Sequence, residues 1–173
     1  MAVRDDFDRI LRQQAATDGP TIPSIAVAQS LAETLGDIRN SSPSATRQFA
    51  DEPTIDWNTP EMDDAPISMA ISGPAYEDNP IWYVNTAFER LTGYTETEVC
   101  GGNLRLLQGP KTAAEPIETL REALDIWEPT IVELDNYRAD GTVFRNRIAL
   151  APIADETGTI SNWVGFQEDV THR

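Results

Sequence analysis

Two turn signals in the C-terminal part constrain this chain more than any other feature. Ala139-Asp140-Gly141 and Asp155-Glu156-Thr157-Gly158 separate three segments, Ile131 to Tyr137, Val143 to Pro152 and Ile160 to Asp169. Each reads as a strand, and strands joined by tight turns must run antiparallel. Upstream, Ile67 to Ile71 alternates weakly, and Ile81-Trp82-Tyr83-Val84 is a short apolar, aromatic run; both also read as strands. The loop between them starts at Gly73-Pro74 and ends at Asp78-Asn79-Pro80. Asn85-Thr86 caps a short helix with Ala87, Phe88 and Leu91, closed at Gly93. Thr95 to Glu98 opens another helical turn. Thr112 to Asp125 carries Ile117, Leu120 and Leu124 on one side and reads as the longest helix of this part. Two strands, short helices, one longer helix and three strands predict an α+β fold. It is one five-stranded antiparallel sheet with short helices on one face.

The N-terminal part reads differently. Phe7, Ile10 and Leu11 recur at helical spacing until Asp18-Gly19-Pro20 stops the pattern. A second helix is expected from Ser24, as N-cap, to about Arg39. Its stripe is Ile25, Ala28, Leu31, Ala32, Leu35 and Ile38, opposite Gln29, Glu33 and Asp37. Such a stripe must be buried, either on the domain or in an interface with a second copy. Both readings stand. Asp51 to Asp64, rich in acids and proline, reads as irregular, with Ile55 and Trp57 as anchors.

Composition narrows the function classes. A chain of 173 residues with 40% apolar content suits one packed domain plus an extension. It has no run of 18 apolar residues and no N-terminal export signal, so a cytoplasmic protein without a membrane span is expected. Cys100 is the single cysteine, which excludes an internal disulfide and a cysteine-based metal site. The net charge is -16, and Lys111 is the one lysine among 13 bases. So acidic a surface repels nucleic-acid phosphate, and direct binding of nucleic acid is not expected. The acids are spread along the chain. This favours halophilic adaptation, in which salt screens their repulsion, over an acidic disordered tail.

The stretch Gly101-Gly102-Asn103-Leu104-Arg105-Leu106-Leu107-Gln108-Gly109 resembles the flavin-binding signature of light-oxygen-voltage (LOV) domains, a branch of the PAS sensor family. That signature reads Gly-x-Asn-Cys-Arg-Phe-Leu-Gln-Gly. The chain departs from it at Leu106, a mild apolar exchange, and at Leu104, where the family keeps its photoreactive cysteine. Further family-like phrases follow in order: Asp78-Asn79-Pro80, Leu91-Thr92-Gly93-Tyr94, Asn136-Tyr137-Arg138, Asp140-Gly141, Asn146, Gly165-Phe166-Gln167 and Asp169-Val170-Thr171. The resemblance implies a PAS fold. It divides the chain into an N-terminal helical extension and linker (1–62), a flavin-binding domain (63–170) and the start of an output linker (171–173).

By the same resemblance, Asn136 and Asn146 read the pyrimidine edge of a flavin, and Gln167 reaches its N5 and O4 side. Asn and Gln suit an edge carrying both donors and acceptors. Asn103 and Gln108 hold the ribityl chain and ring, with Leu104 beside them. Arg105 and Arg121 match the two family arginines that take the phosphate. Strand alternation puts Leu134 beside Asn136, Ile148 and Leu150 beside Asn146, and Trp163 and Gly165 beside Gln167. The short loop after Gly109 favours FMN, with FAD possible. Each polar residue also has a plain structural reading: Asn136 as a turn residue, Arg121 paired with Glu118, Glu122 or Asp125, Gln167 as a sheet-face amide.

Leucine has no nucleophile, so the family's cysteinyl adduct cannot form at Leu104. Cys100 is expected to be a buried small hydrophobe. The expected function is a sensory input domain, driven by blue light or by redox state. It would signal by flavin reduction to a neutral semiquinone without an adduct. Trp82, Trp127, Trp163, Tyr83, Tyr94 and Tyr137 are candidate electron donors or plain packing groups. Rotation of the Gln167 amide, with Val164 and Phe166 on the opposite face of its strand, would carry the signal to flanking helices. The competing reading is a degenerate PAS scaffold that only dimerises. An enzyme is not expected; a histidine kinase or transcription regulator would lie outside this chain. A homodimer through the N-terminal helices or the outer sheet face is the expected assembly.

Overall fold

The computed structural model describes Arg9 and residues 23–41, 60–155 and 157–172. The expected helix around Phe7 to Leu11 and the anchors Ile55 and Trp57 lie outside these residues. Five strands form one antiparallel sheet: β1 (Ser68–Ser72), β2 (Ile81–Val84), β3 (Thr130–Tyr137), β4 (Val143–Ala154) and β5 (Ile160–Asp169). Their spatial order is β2-β1-β5-β4-β3. The two C-terminal hairpins sit where the turn signals place them. The first and last segments of the domain, β1 and β5, meet in the middle of the sheet, with Ser68 opposite Gln167 and Ser72 opposite Trp163.

The described residues also form the helices α1 (Ile25–Ser41), α2 (Pro60–Asp63), α3 (Thr86–Thr92), α4 (Glu96–Val99) and α5 (Ala114–Ile126). Local capping chemistry sets their ends. The Ser24 hydroxyl accepts from the Val27 amide at 3.3 Å and opens α1. The Asn85 side chain accepts from the Phe88 amide at 3.1 Å, while Gly93, at φ 77°, closes α3. Thr95 and Glu98 form a reciprocal capping box on α4. The segment from Asp51 to Asp64, expected to be irregular, contains one helical turn at Pro60–Asp63.

Strand alternation gives the sheet two faces. The inner face carries α3, α4, α5 and a 3-10 turn at Leu104–Leu107, with Ala70, Ile81, Val84, Phe88, Val99 and Leu107 packed together. The outer face of the central strands is apolar at Met69, Ile71, Ala149, Ala151, Ile153, Val164 and Phe166, and α1 lies across it. Ala28, Leu31, Ala32 and Leu35 are at most 1% exposed there. Each buried leucine contributes roughly 1.5–3 kcal/mol. Thus α1 covers the second face of the sheet, and most of its stripe is buried there. Ile25, expected in that stripe, is 42% exposed, and the Ile38 side chain lies outside the described residues. At Gly36 α1 runs close against the sheet, and a Cβ there would lie 2.9 Å from the Ala154 carbonyl oxygen.

Candidate functional site

A cavity of about 310 Å³ lies between the inner sheet face and the wall made by α5 and the 3-10 turn. That is the lower end of the range for small-molecule sites. Leu134, Ile148, Leu150 and Trp163 line it from the sheet; Leu104, Leu107, Ile117, Leu120 and Leu124 line it from the opposite side. Gly165 keeps the floor flat. A Cβ there would sit 3.1 Å from Gln167 Nε2.

Three amides close the inner end. Asn136, Asn146 and Gln167 all line the cavity and are 2%, 0% and 2% exposed. Asn146 Nδ2 donates to Asn136 Oδ1 at 2.8 Å, and Asn136 Nδ2 donates to the Asp135 carbonyl at 3.3 Å. The Ser68 hydroxyl donates to Gln167 Oε1 at 2.7 Å. Two buried atoms then have no partner among the described residues: the acceptor Asn146 Oδ1 and the donor Gln167 Nε2. A buried polar atom without a partner costs about 1–3 kcal/mol, so such atoms mark a ligand's place. One free acceptor and one free donor over an apolar slot suit a flat ring with an imide edge, and this donor set fits a flavin.

The outer end is polar. Asn103 Oδ1 accepts from the Arg105 amide at 2.8 Å, and its Nδ2 donates to the Asp78 carbonyl at 2.6 Å. Asn103 therefore caps the 3-10 turn and ties it to the loop before β2. Arg105 makes a forked contact with Asp78, with Nη1 to Oδ1 at 2.8 Å and Nη2 to Oδ2. That hydrogen bonding holds the Asp78 carboxyl below its ordinary pKa and raises that of Arg105. Arg121 also lines the mouth but has no ion pair among the described residues. The pairing offered by Glu118, Glu122 and Asp125 is not formed. Gln108 lines the mouth as well.

The signalling candidates lie back to back with the site. Val164 and Phe166 are fully buried in the outer cluster with Leu31 and Leu35 of α1, while Gln167 faces the cavity. Of the six candidate donors, Trp163 lines the cavity and is 1% exposed. Tyr83 sits in the outer cluster with its hydroxyl donating to Asp63 at 2.7 Å. Tyr137 accepts from the Lys111 amide at 2.8 Å. Its ring lies so close to Gly109 that a Cβ there would clash at 2.4 Å, a packing reason for the motif's last glycine. Trp127 is 63% exposed.

One expectation changes. Cys100 is exposed, not buried, because it forms the C-cap of α4, where the chain turns outward before Gly101. Partial desolvation and the Glu96 carboxylate raise its thiol pKa, so it is no activated thiolate. Arg105, expected to face a phosphate, lines the cavity and pairs with Asp78. Two site residues escaped the sequence reading. Ser68 reaches Gln167 through a strand pairing 99 residues apart, which no local pattern reveals. Asp78 was visible within Asp78-Asn79-Pro80, where Asp78 and Asn79 adopt φ 67° and 47°, but its partner was not.

Residues 66–172 match the PAS domain family. The chain is 46% identical over 112 residues to a bacterioopsin transcriptional activator of Halobacterium salinarum, covering 65% of this chain and 17% of that protein. It is 41% identical over 105 residues to a blue-light photoreceptor of Listeria monocytogenes, covering 61% of this chain and 41% of that one. Both alignments span less than half of the relative. Among solved structures, the LOV domain of a blue-light-activated histidine kinase from Erythrobacter litoralis superposes with a TM-score of 0.59 at 38% identity. That match covers 62% of this chain and 98% of the other. Sequence signature, sheet order, buried amides and relatives converge: the chain belongs to the PAS domain family, in its light-oxygen-voltage branch.

Proposed function

We propose that this chain is a flavin-binding sensory input domain that responds to blue light or to redox state without a cysteinyl adduct. The observation that carries the reading is the buried pair of partnerless atoms, Asn146 Oδ1 and Gln167 Nε2, above an apolar slot. Asn136, Asn146 and Gln167 would hold the pyrimidine edge, Ile148 and Leu150 the ring face, and Arg121 a phosphate. Arg105 would join Arg121 on exchanging Asp78 for that phosphate, which makes FMN the preferred cofactor. Asn103 and Gln108 would border the ribityl chain. A bound flavin supplies blue absorption and reversible uptake of an electron and a proton. Leu104 contributes an apolar contact and no nucleophile, so the ring's carbon atoms stay unmodified. Gln167 would answer the added proton by turning its amide, and Val164 and Phe166, next to it on β5, would pass the movement to α1.

Relatives named as a histidine kinase and a transcriptional activator suggest an effector of either kind in a longer parent protein. In this reading the chain itself is not an enzyme and works in the cytoplasm. Among the described residues no helix is long and apolar enough to cross a membrane. A homodimer through the outer sheet face or the buried stripe of α1 would require the two to part, since each covers the other.

The test is an absorption and fluorescence spectrum of purified protein, dark and after blue light, under anaerobic reducing conditions. A structured flavin band that bleaches reversibly and recovers in air, with no adduct band, supports the reading. No flavin after refolding with FMN in high salt rejects it and leaves the dimerising scaffold.

A further inference from the structure

Of the six aromatic residues that could give up an electron, Trp163 alone lines the cavity. Trp82 packs over Gly73, where a Cβ would lie 2.8 Å from its ring, and Trp127 is exposed. Tyr94 packs against the inner cluster, and the Tyr137 hydroxyl is taken by the Lys111 amide. Tyr83 stands apart from these. It is 3% exposed on the outer face, and its hydroxyl donates to the Asp63 carboxylate of α2 at 2.7 Å. The sheet register links it to Trp163. Trp163 pairs with Ser72 and Tyr83 with Ile71, consecutive residues of β1. The two residues are therefore two strands apart, about 10 Å at the backbone, on opposite faces of the sheet. That separation is within reach of electron tunnelling through packed protein. An indole can lose an electron and keep its proton. A phenol that loses an electron becomes strongly acidic, so it is oxidised readily only where a base takes the proton at once. Asp63 is such a base. Burial, then the hydrogen bond and charge of Asp63, hold the Tyr83 pKa above its ordinary value, so the phenol keeps its proton until it is oxidised.

We propose that Trp163 and Tyr83 form a two-step electron route from α2 through the sheet to the cavity, with Asp63 as its proton acceptor. This rests on the flavin reading above. Trp163 gives one electron to the light-excited ring, and Tyr83 refills Trp163 while its phenol proton passes to Asp63. One electron leaves Tyr83, one arrives on the ring, and Trp163 ends unchanged. The phenol O–H is the bond that breaks, and the carboxyl O–H of Asp63 is the bond that forms. In the dark the electron returns to Tyr83 and the proton with it, so the cycle needs no outside reductant. The oxidised end lies buried beside α2 with the sheet between it and the ring, which delays the return. While it lasts, the contact between α2 and β2 is reversed: Asp63 donates and the Tyr83 oxygen accepts.

The experiment is transient absorption after a blue pulse on the full chain loaded with FMN, read at the bands of oxidised indole and of the tyrosyl radical. In wild-type protein the indole band forms first and decays into the tyrosyl band, and this decay slows in heavy water because a proton moves. Trp163→Phe loses both bands, and FMN fluorescence rises several-fold. Tyr83→Phe keeps the indole band, which then lasts until the electron returns. Asp63→Asn behaves like Tyr83→Phe, because an amide accepts the same hydrogen bond but is no base for the proton. Asp63 lies away from the cavity, so this result stands even if Trp163→Phe lowers FMN occupancy. Trp82→Phe and Trp127→Phe match wild type. An indole band that survives in Trp163→Phe, a tyrosyl band that survives in Tyr83→Phe, or wild-type kinetics in Asp63→Asn overturns the route. Wild-type protein that binds FMN and shows neither band overturns the route and leaves the flavin reading standing. Wild-type protein that does not bind FMN rejects that reading, and the route falls with it.

Discussion

Gln167 carries a cost in the ligand-free protein that a ligand would lift, and this separates a binding residue from a structural one. Its Nε2 is buried without a partner among the described residues, although its Oε1 is satisfied. Leucine fills a similar volume without polar atoms. Gln167→Leu removes the orphan donor but strips Ser68 of its acceptor, so ligand-free stability should change by no more than about 1 kcal/mol. FMN binding should weaken by about 1–2 kcal/mol, roughly tenfold in Kd. Paired melts with and without FMN read both quantities; equal losses in the two states would make Gln167 a packing residue. Asp78 argues in the opposite direction. It occupies the Arg105 guanidinium that a phosphate would take. Asp78→Asn should tighten FMN several-fold and leave riboflavin, which has no phosphate, unchanged; titration of both ligands decides it. Acid is no substitute for the mutation. The lowered pKa of Asp78 keeps the pair formed above the ordinary carboxylate value of about 4, and the pair is lost only as pH falls through the lowered value.

At the scale of elements, the sheet is a partition with a cavity on one side and α1 on the other. Cavity-facing Gly165 and Gln167 alternate along β5 with Val164 and Phe166 under α1. If α1 is a separable cover, lifting it should expose apolar surface without emptying the cavity. Gly36 offers the lever, since its helix backbone runs against the Ala154 carbonyl and any side chain there must push. Gly36→Val should cost roughly 1–3 kcal/mol and raise binding of a hydrophobic dye, while FMN affinity holds. A parallel loss of FMN would show that the two faces are one unit. What the sequence disclosed follows the same division. The hairpins around Gly141 and Gly158, the Asn85 and Ser24 caps and the stripe of α1 were legible because each is set within a few residues. The pairing of β1 with β5 was not, because nothing local states which distant strand fills the middle of a sheet. That pairing brings Ser68 to Gln167, so the site's own support was hidden while its amides were in view. Cys100 was misjudged for a related reason: the usual burial of free cysteine says nothing about a helix end that turns outward.

For the molecule as a whole, charge governs what the fold leaves open. The net charge of -16 means that most carboxylates have no base to meet. Much of the basic charge that is placed goes into pairs: Arg145 with Glu133 and Asp135, Arg147 with Glu133 and Glu168, Arg138 with Asp169. Salt acts on these two populations in opposite ways. It weakens the exposed pairs, each worth no more than about 1 kcal/mol, and relieves the repulsion among the excess acids. The Debye length falls from about 10 Å at 0.1 M to about 3 Å at 1 M, so repulsion across the surface is removed while forked contacts persist. The excess of acids should therefore win. The ligand-free melting temperature should rise as KCl goes from low to molar concentration, with most of the gain below the point where screening saturates. A rise only at the highest salt would instead reflect general strengthening of apolar burial. A flat or falling melt would mean that the attractive pairs govern stability, and the acidity would then need a cause other than salt adaptation. The same screening should tighten FMN more than riboflavin, because only FMN brings a phosphate towards an acidic molecule.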